Sequence, residues 1–152
     1  MHPLDLIALG RLRLDPCRDL ARHYLDMLRP YARVEVTELP EGKGEPARAL
    51  KDEAQRIRAR LQAGASPVLL TPEGKLRDSE ALAAWLGTRL DRGERLVFIV
   101  GSSHGFDPAL KADLREQISL SPLTFPHELS RVLLLEQLYR AFTILRGKTY
   151  HK

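Results

Sequence analysis

The sequence lacks several features that define particular classes of protein. Among its 152 residues there is one cysteine, Cys17, so no internal disulfide can form, and we expect a packed thiol there. No apolar run reaches the roughly 18 residues that a membrane span needs. The first residues carry no basic leader, and Asp5 interrupts a short apolar stretch, so they do not predict a secretory signal. We therefore expect a cytoplasmic protein with no membrane partner.

The sequence also contains no metal-binding motif and no internal repeat. One cysteine and widely spaced histidines do not match any metal-binding motif, so we expect no metal site. The histidines are His2, His23, His104, His127 and His151. Hydrophobic residues make up 43% of the chain and charged residues 29%, which is globular rather than disordered composition. With no linker or repeat in view, the length predicts a single domain over residues 1–152.

The charge is basic, but only slightly. The net charge is +4, from 24 Lys and Arg against 20 Asp and Glu, which permits a polyanionic partner without requiring one. The cations concentrate in Lys43–Arg60 and in the C-terminal stretch Arg131–Lys152. Two interpretations stay open for these segments: solvated faces, or contacts to a nucleic acid.

Predicted strands and helices alternate along the chain. Alternating or fully apolar runs predict strands at residues 4–10, 33–39, 67–71 and 96–100, with a short strand from Ile118. Helical spacing predicts helices from Asp15 to about Pro30, through 47–61, over 79–90, from Pro108, and over 128–145. Asp15 is expected to cap the first helix, and the Asp107-Pro108 pair again predicts a helix start. Along the first helix an apolar stripe repeats at helical spacing: Leu20, Tyr24, Met27, Leu28 and Tyr31. Pro72–Lys75 is expected to form a turn. Such alternation indicates an α/β three-layer sandwich with a mostly parallel sheet.

The ends of the strands locate a candidate binding site. In open α/β sheets, ligands bind at the carboxyl ends of the strands. Three loops are expected at that edge: Pro72–Lys75, Gly101–Phe106 and Ser121–His127. The prolines of the last loop favour a rigid, extended backbone. His127 could be catalytic, but we favour a capping or packing role for it.

The last predicted helix indicates self-association. An apolar stripe runs from Leu134 to Leu145, and further apolar residues such as Val132 and Tyr139 occupy other faces. A domain of this size rarely covers every face of such a helix, so we predict a homodimer.

The segment Gly101–Gly105, GSSHG, has two interpretations. As G-x-S-x-G it matches a nucleophile elbow, with Ser103 as nucleophile, His127 or His151 as base and Asp113 as orienting acid. The chain is short for that fold and has no recognisable oxyanion loop. As a glycine turn after a strand, it instead lets the backbone approach a ligand closely. We favour the second interpretation.

A family resemblance supports the second interpretation. The segments LIALGRL, VLLTPEGK, FIVGSSHGF and ISLSPLTFPHELSRVLLLEQLYRAFTILRGKTYHK, in this order, resemble the ribosomal RNA large subunit methyltransferase H (RlmH) family of the SPOUT superfamily. The similarity spans nearly the whole chain and is most specific from Ser119 to Lys152. It implies a SPOUT fold with a C-terminal trefoil knot, a rare exception to unknotted topology.

The resemblance also implies a cofactor and its contacts. Members of the family use S-adenosylmethionine to methylate N3 of a pseudouridine in large-subunit ribosomal RNA. Where the motifs match, the cofactor is expected to contact the same three strand-end loops. The residues carried over are Leu70, Gly101, Leu120, Ser121, Pro122, Leu123, Thr124 and Phe125.

One position departs from the family pattern. The family usually has two adjacent glycines in its central loop, whereas Gly101 is followed here by Ser102. If this position required positive φ, serine would cost about 1 kcal/mol or more. We hypothesise that Ser102 is tolerated. The alternative is a protein that binds RNA or the ribosome but transfers methyl groups poorly.

Catalytic candidates come from the C-terminal segment. Removing the N3 proton leaves an anion, which Arg140 could stabilise, while Glu136, His127 and His151 are candidate proton acceptors. By resemblance, Tyr150 and His151 reach the site of the partner subunit, with Arg146 and Lys148 on phosphate. The implied substrate is the large-subunit stem-loop facing the decoding centre, in assembled ribosomes.

Overall fold

The computed structural model describes residues 1–152 and contains a five-stranded parallel sheet in the order β2-β1-β4-β3-β5. The strands are β1 (His2–Leu9), β2 (Ala32–Leu39), β3 (Ala65–Leu76), β4 (Arg95–Val100) and β5 (Gln117–Ser119). The helices are α1 (Asp15–Leu28), α2 (Pro46–Arg60), α3 (Ser79–Asp91), α4 (Pro108–Asp113) and α5 (His127–Leu145). No helix is long and apolar enough to cross a membrane.

Helices cover both faces of the sheet, which confirms the predicted α/β sandwich. The central strand β4 shows why: Leu96, Phe98 and Val100 point into a core with α1, α3 and α5. Val97 and Ile99 point the other way, into a smaller core with α2 and α4. A strand buried on both faces must be apolar at every position, as Leu96–Val100 is. Each such buried side chain contributes about 1.5–3 kcal/mol.

Two local predictions were wrong. Pro72–Lys75 is not a simple turn, because β3 runs on to Leu76. Leu70 and Lys75 both pair with Ile118, so the residues between them leave the ladder and return to it. Asp15 does not cap α1: Leu14 is the N-cap residue, with no side-chain hydrogen bond. The Glu128 carboxylate from α5 instead accepts from the backbone N–H groups of Arg13 and Leu14, at 2.7 and 3.0 Å.

The buried face of α1 also differs from the expected stripe. Leu20, Tyr24 and Met27 follow helical spacing, but Leu20 and Met27 are 43% and 37% exposed. The residues of α1 that enter the core are smaller: Cys17, Ala21 and Leu28. Cys17 is therefore the packed thiol that was expected. An apolar strip of α1 remains on the surface.

The long helix α5 is covered more completely than its sequence indicates. Val132, Leu135, Leu138, Tyr139 and Phe142 are all buried within the protomer. Contacts with both α1 and α3 account for this burial. The exposed large apolar residues of α5 are Leu129 and Leu145, at 37% and 41%. The helix alone therefore gives less reason for a dimer than we expected.

Candidate active site

A cleft of about 310 Å³ opens at the carboxyl ends of the strands, where ligands bind in open α/β sheets. Its walls are residues 70–73 of β3, the loop after β4, and the loop between β5 and α5. Seven of the eight residues carried over from the resemblance line it, and the eighth, Pro122, is exposed outside the lining. The seven are Leu70, Gly101, Leu120, Ser121, Leu123, Thr124 and Phe125.

The loop after β4 is a tight turn that two glycines make possible. The Gly105 N–H donates to the Ser102 carbonyl at 3.0 Å, and Gly105 has φ +81°, which favours glycine. A Cβ at Gly101 would lie 2.8 Å from the Gly105 carbonyl oxygen and 3.1 Å from the Phe106 ring. Both glycines are therefore needed to keep the backbone close to the cleft.

Ser102 does not meet the condition for backbone strain, which was positive φ. No residue other than glycine has positive φ, so serine costs no backbone energy here. Ser102 is buried, and its hydroxyl donates to Oε1 of Glu53 at 2.8 Å. Oε2 of Glu53 accepts from the Gly42 N–H at 2.9 Å. The Glu53 carboxylate therefore links the loop after β4 to the segment before α2.

Glu53 is the residue that sequence reasoning missed. It is 4% exposed although it lies in the most charged helix of the chain. In the sequence, its neighbours Lys51, Asp52 and Arg56 make it look like one more solvated residue. Burial of an ionisable side chain requires hydrogen-bond partners, and these come from residues distant in sequence. No local pattern could have found it.

Serine side chains shape the loop between β5 and α5. Ser119 Oγ donates to the Ser121 carbonyl at 3.0 Å, and Ser121 Oγ accepts from the Leu123 N–H at 3.0 Å. Leu123 is 71% exposed although it lines the cleft. The loop therefore holds its shape by local hydrogen bonds and presents an uncovered apolar side chain to a ligand.

Charged side chains stand at the two ends of the cleft. Hydrogen bonding from the Thr71 hydroxyl lowers the pKa of Glu73, and Lys111, at 3.6 Å, adds to the effect. At the other end, Nε2 of His127 lies 3.6 Å from a carboxylate oxygen of Glu41. His127 is the first residue of α5, but the N-cap residue is Pro126 and no side-chain hydrogen bond caps the helix. His127 therefore does not cap α5, and its packing role stays a prediction.

The candidate catalytic residues form a second cluster, at the far end of α5. Arg140 Nε donates to Glu136 Oε1 at 2.8 Å, and Arg140 Nη1 lies 3.2 Å from Nδ1 of His151. The guanidinium stacks on the Tyr150 ring at 4.7 Å, and the Tyr150 hydroxyl lies 3.5 Å from Glu136. Arginine can only donate, so Nδ1 of His151 accepts and the ring proton sits on Nε2.

These contacts raise the pKa values of two residues in the cluster, Tyr150 and Arg140. Burial raises the pKa of Tyr150 to about 12, and the Glu136 charge adds to the effect. Tyr150 is 37% exposed as a whole, but its ring packs edge-on against Tyr139 at 4.8 Å. Hydrogen bonding to Glu136 raises the pKa of Arg140. Near neutral pH, Tyr150 is a hydrogen-bond donor and Arg140 a permanent cation.

The cleft and the cluster are far apart within one protomer. His127 and Ser130 line the cleft, and Arg140 follows Ser130 by ten residues of the same helix. At 1.5 Å per residue, this places Arg140 about 15 Å along the helix from the nearest α5 residue of the cleft lining. No residue of the cluster lines the cleft. One protomer therefore holds both groups of residues without bringing them together.

A serine hydrolase triad is not assembled. Ser103 is exposed and makes no side-chain hydrogen bond to a histidine, while Asp113 accepts from Arg58 at 2.6 Å. His127 and His151 contact Glu41 and Arg140 instead. No group of three or more His, Cys, Asp or Glu side chains is placed to hold a metal ion.

Comparisons with known proteins agree with this geometry. A family model described as "Predicted SPOUT methyltransferase" matches residues 3–151. Curated proteins named Ribosomal RNA large subunit methyltransferase H are similar over nearly their whole length. The protein of Gloeobacter violaceus is 44% identical over 97% of both chains. The protein of Rhizobium meliloti is 42% identical over 98% of both chains. The protein of Brucella anthropi is 40% identical over 98% of both chains.

A solved structure shows the same fold. It is a methylase family protein of Neisseria gonorrhoeae, which matches with a TM-score of 0.53. The match covers 91% of this chain and 81% of that chain, at 9% sequence identity. At this identity, the likeness concerns the fold alone.

Proposed function

Because the chain belongs to the SPOUT methyltransferase family, we propose that it transfers the methyl group of S-adenosylmethionine to N3 of a pseudouridine in large-subunit ribosomal RNA. The observation that carries the proposal is the cleft itself, built from the three loops that the resemblance assigns to the cofactor. Family membership also supports a C-terminal trefoil knot around this cleft, and a ribosomal substrate supports a cytoplasmic location.

The cleft has the chemistry to hold S-adenosylmethionine. Phe106, Phe125 and Leu120 offer apolar surface to an adenine ring, while the glycine turn brings backbone groups close. The ionised Glu73 complements the positive charge of the cofactor. The sulfonium supplies a methyl group already activated for displacement, so the protein mainly has to orient the acceptor.

A homodimer would complete the active site. Within a protomer, Arg140 lies about 15 Å along α5 from the nearest α5 residue of the cleft lining, and Tyr150 and His151 contact Arg140. None of the three lines the cleft, so one protomer alone does not present them to an acceptor bound there. In a twofold dimer, the cluster of one subunit can face the cleft of the other. The exposed Leu20 and Met27 of α1 flank Tyr24 in sequence, and Tyr24 is close enough to Tyr150 to contribute to its raised pKa. This strip is a suitable dimer surface.

Arg140 and its neighbours have the properties that the reaction needs. A pseudouridine N3–H must lose its proton before or during methyl transfer, which places negative charge on the imide. The permanently charged Arg140 can stabilise that anion, and Tyr150 can donate a hydrogen bond to it. Glu136, His127 and His151 remain the candidate proton acceptors. Arg146 and Lys148 are exposed in the tail, and we propose that they contact phosphate.

The experiment that tests the proposal uses ribosomes lacking the modification. Purified protein is incubated with labelled S-adenosylmethionine and intact ribosomes, or with separated large subunits. We expect label at the pseudouridine stem-loop facing the decoding centre, with a preference for intact ribosomes. A folded dimer that binds ribosomes but transfers no label would reject the methyltransferase and support the RNA-binding alternative.

A further inference from the structure

Four cationic side chains surround a hollow directly beside the cofactor cleft. Lys75 lies at the end of β3, and Arg77 directly follows the strand. Lys111 lies in α4, and Arg115 lies just after that helix. The pairing of Lys75 with Ile118 of β5 brings these two segments together. We call the surface formed by Lys75, Arg77, Lys111 and Arg115 the basic hollow. It shares Glu73 and Lys111 with the cleft, so the two are continuous.

The positive charge of the basic hollow is largely uncompensated. Its two acidic residues are engaged: Glu73 with Lys111 at 3.6 Å, and Glu116 with Arg89 at 2.9 Å. Glu116 also accepts from Nε1 of Trp85 at 3.0 Å. Three cations are left without a salt bridge or a side-chain hydrogen bond: Lys75, Arg77 and Arg115. Like charges gathered in one concave surface raise the local potential and attract anions.

Arg77 is held in place for such an anion. Its guanidinium stacks on the Trp85 ring at 5.1 Å, opposite Arg89 at 5.3 Å. Nη1 of Arg77 is buried and is the one buried side-chain polar atom without a hydrogen-bond partner. Stacking fixes the planar donor group at little further entropic cost on binding, and that geometry suits a phosphate.

The cations of α2 provide a contrast within the same molecule. Arg56 donates to the Pro40 carbonyl at 3.0 Å, Arg58 to Asp113 at 2.6 Å and Arg60 to the Thr37 hydroxyl at 3.2 Å. Their guanidinium groups already have partners, so an RNA phosphate would have to compete for them. The sequence concentrates cations in Lys43–Arg60 and Arg131–Lys152. The three arginines at the end of α2 have partners, whereas Lys75, Arg77 and Arg115 of the basic hollow have none.

We propose that the basic hollow binds phosphodiester groups of the RNA substrate next to the nucleotide being methylated. The proposal rests on the proposed function, which places that nucleotide in the adjoining cleft. RNA is a chain of regularly spaced phosphates, so an occupied cleft brings flanking phosphates to the neighbouring surface. The hollow would thereby fix the register of the stem-loop.

The test compares two variants that lose equal charge. Lys75→Gln/Arg115→Gln removes exposed cations of the hollow, and Arg58→Gln/Arg60→Gln is the matched control on α2. RNA binding is measured as a function of salt concentration. Each lost phosphate contact lowers the slope of log K against log salt by about 0.7–0.9. We expect the hollow variant to lose about 1.5 from the slope and 10- to 100-fold in affinity at low salt. The control should stay near wild type.

Further measurements distinguish failure of this proposal from failure of the proposed function. Arg77→Gln should weaken RNA binding as well, and S-adenosylmethionine affinity and Tm should be unchanged in the hollow variants. An unchanged salt slope in Lys75→Gln/Arg115→Gln overturns the basic hollow. So does a loss of cofactor affinity without a change in slope, because the hollow would then serve the cofactor. Absence of methyl transfer by the wild type rejects the proposed function, whatever the slopes.

Discussion

The cofactor cleft and the C-terminal cluster are built in opposite ways. The cleft consists of loop backbone and a few serine and glycine residues contributed by three strand ends. The cluster consists of side chains on the last turns of α5 and the tail, which contact one another directly. The cleft can bind a ligand within one protomer. The cluster has charge and hydrogen-bond donors, and none of its residues lines the cleft.

This difference separates the steps that each region should control. Variants of the cluster should affect methyl transfer and leave cofactor binding intact, whereas variants of the cleft should affect both. If one protomer performed the whole reaction, the separation of about 15 Å along α5 would have to close through a large rearrangement. A symmetric dimer removes that need, because the two regions come from different chains.

Deleting Tyr150–Lys152 should have the largest effect. The deletion removes His151 and the ring that stacks on Arg140. We expect methyl transfer to fall below detection, while S-adenosylmethionine binding, measured by calorimetry, changes less than threefold. The cofactor cleft contains no residue of the tail. Full activity in the deletion would remove the tail from the reaction.

Arg140→Ala should lower kcat by about 10²–10³-fold, the range for loss of one anion-stabilising donor.

The dimer hypothesis makes a sharper prediction for mixtures of two variants. Thr124→Trp, at an exposed position in the cleft lining, should block the cofactor in its own subunit. Co-assembly of this variant with Arg140→Ala should form heterodimers with one complete site each. Activity should then recover to about a quarter of wild type.

The control for this mixture places both substitutions in one chain. When the double variant is co-assembled with wild type, its heterodimers contain no complete composite site, because each cleft faces a defective cluster or is itself blocked. If the reaction took place within one protomer, the mixture of single variants would stay inactive. This control would then keep about half of wild-type activity, rather than the quarter that wild-type homodimers alone supply.

Much of this comparison could be predicted from the sequence. Leu96–Val100 predicted a buried central strand, and the strand-end rule placed the three loops of the cleft at one edge. Such patterns are local: a period of two or a fully apolar run reports directly on burial. The Asp107 cap is also local, and its side chain accepts from the Leu110 N–H as expected.

The features that the sequence did not predict correctly depend on contacts between distant segments. The Asp15 cap failed because Glu128, more than a hundred residues away, already accepts from the loop before α1. Leu20 and Met27 were expected to be buried, but the close approach of α1 and α5 leaves room for Cys17 and Ala21. The role of Ser102 could not be inferred from its own position in the sequence, because its partner Glu53 lies on α2.

Glu53 and Ser102 should have an intermediate effect on the cleft. Ser102→Ala removes a hydrogen bond to a buried carboxylate, which is typically worth about 1.5–3 kcal/mol. We expect a lower Tm and a roughly tenfold loss of S-adenosylmethionine affinity, and a similar loss in Glu53→Gln. Ser102→Gly should also lose affinity, although it restores the usual glycine. Thr88→Ala, which removes an exposed hydroxyl of α3 outside the cleft lining, is the control. Better binding by Ser102→Gly would refute the role given to Glu53.

Tyr150→Phe should have the smallest effect, and it tests the environment of the cluster. The stacking ring is retained, so methyl transfer near neutral pH should stay within several-fold of wild type. Stability at high pH should change more. The unfolded tyrosine ionises near its ordinary pKa of 10.0, whereas in the folded protein its pKa is about 12. The contribution of Tyr150 is therefore complete below pH 10 and is lost as the pH rises through 12.

Phenylalanine cannot ionise, so the variant should lose less stability than wild type between pH 10 and 12. The measurement is Tm against pH for both proteins. Other groups that titrate in this range, such as Tyr139, are common to both and cancel in the difference. Parallel curves would mean that the Tyr150 hydroxyl is solvated in both states. The tail would then not be docked on Arg140 in solution, and the cluster would form only when the partner subunit or RNA holds the tail in place.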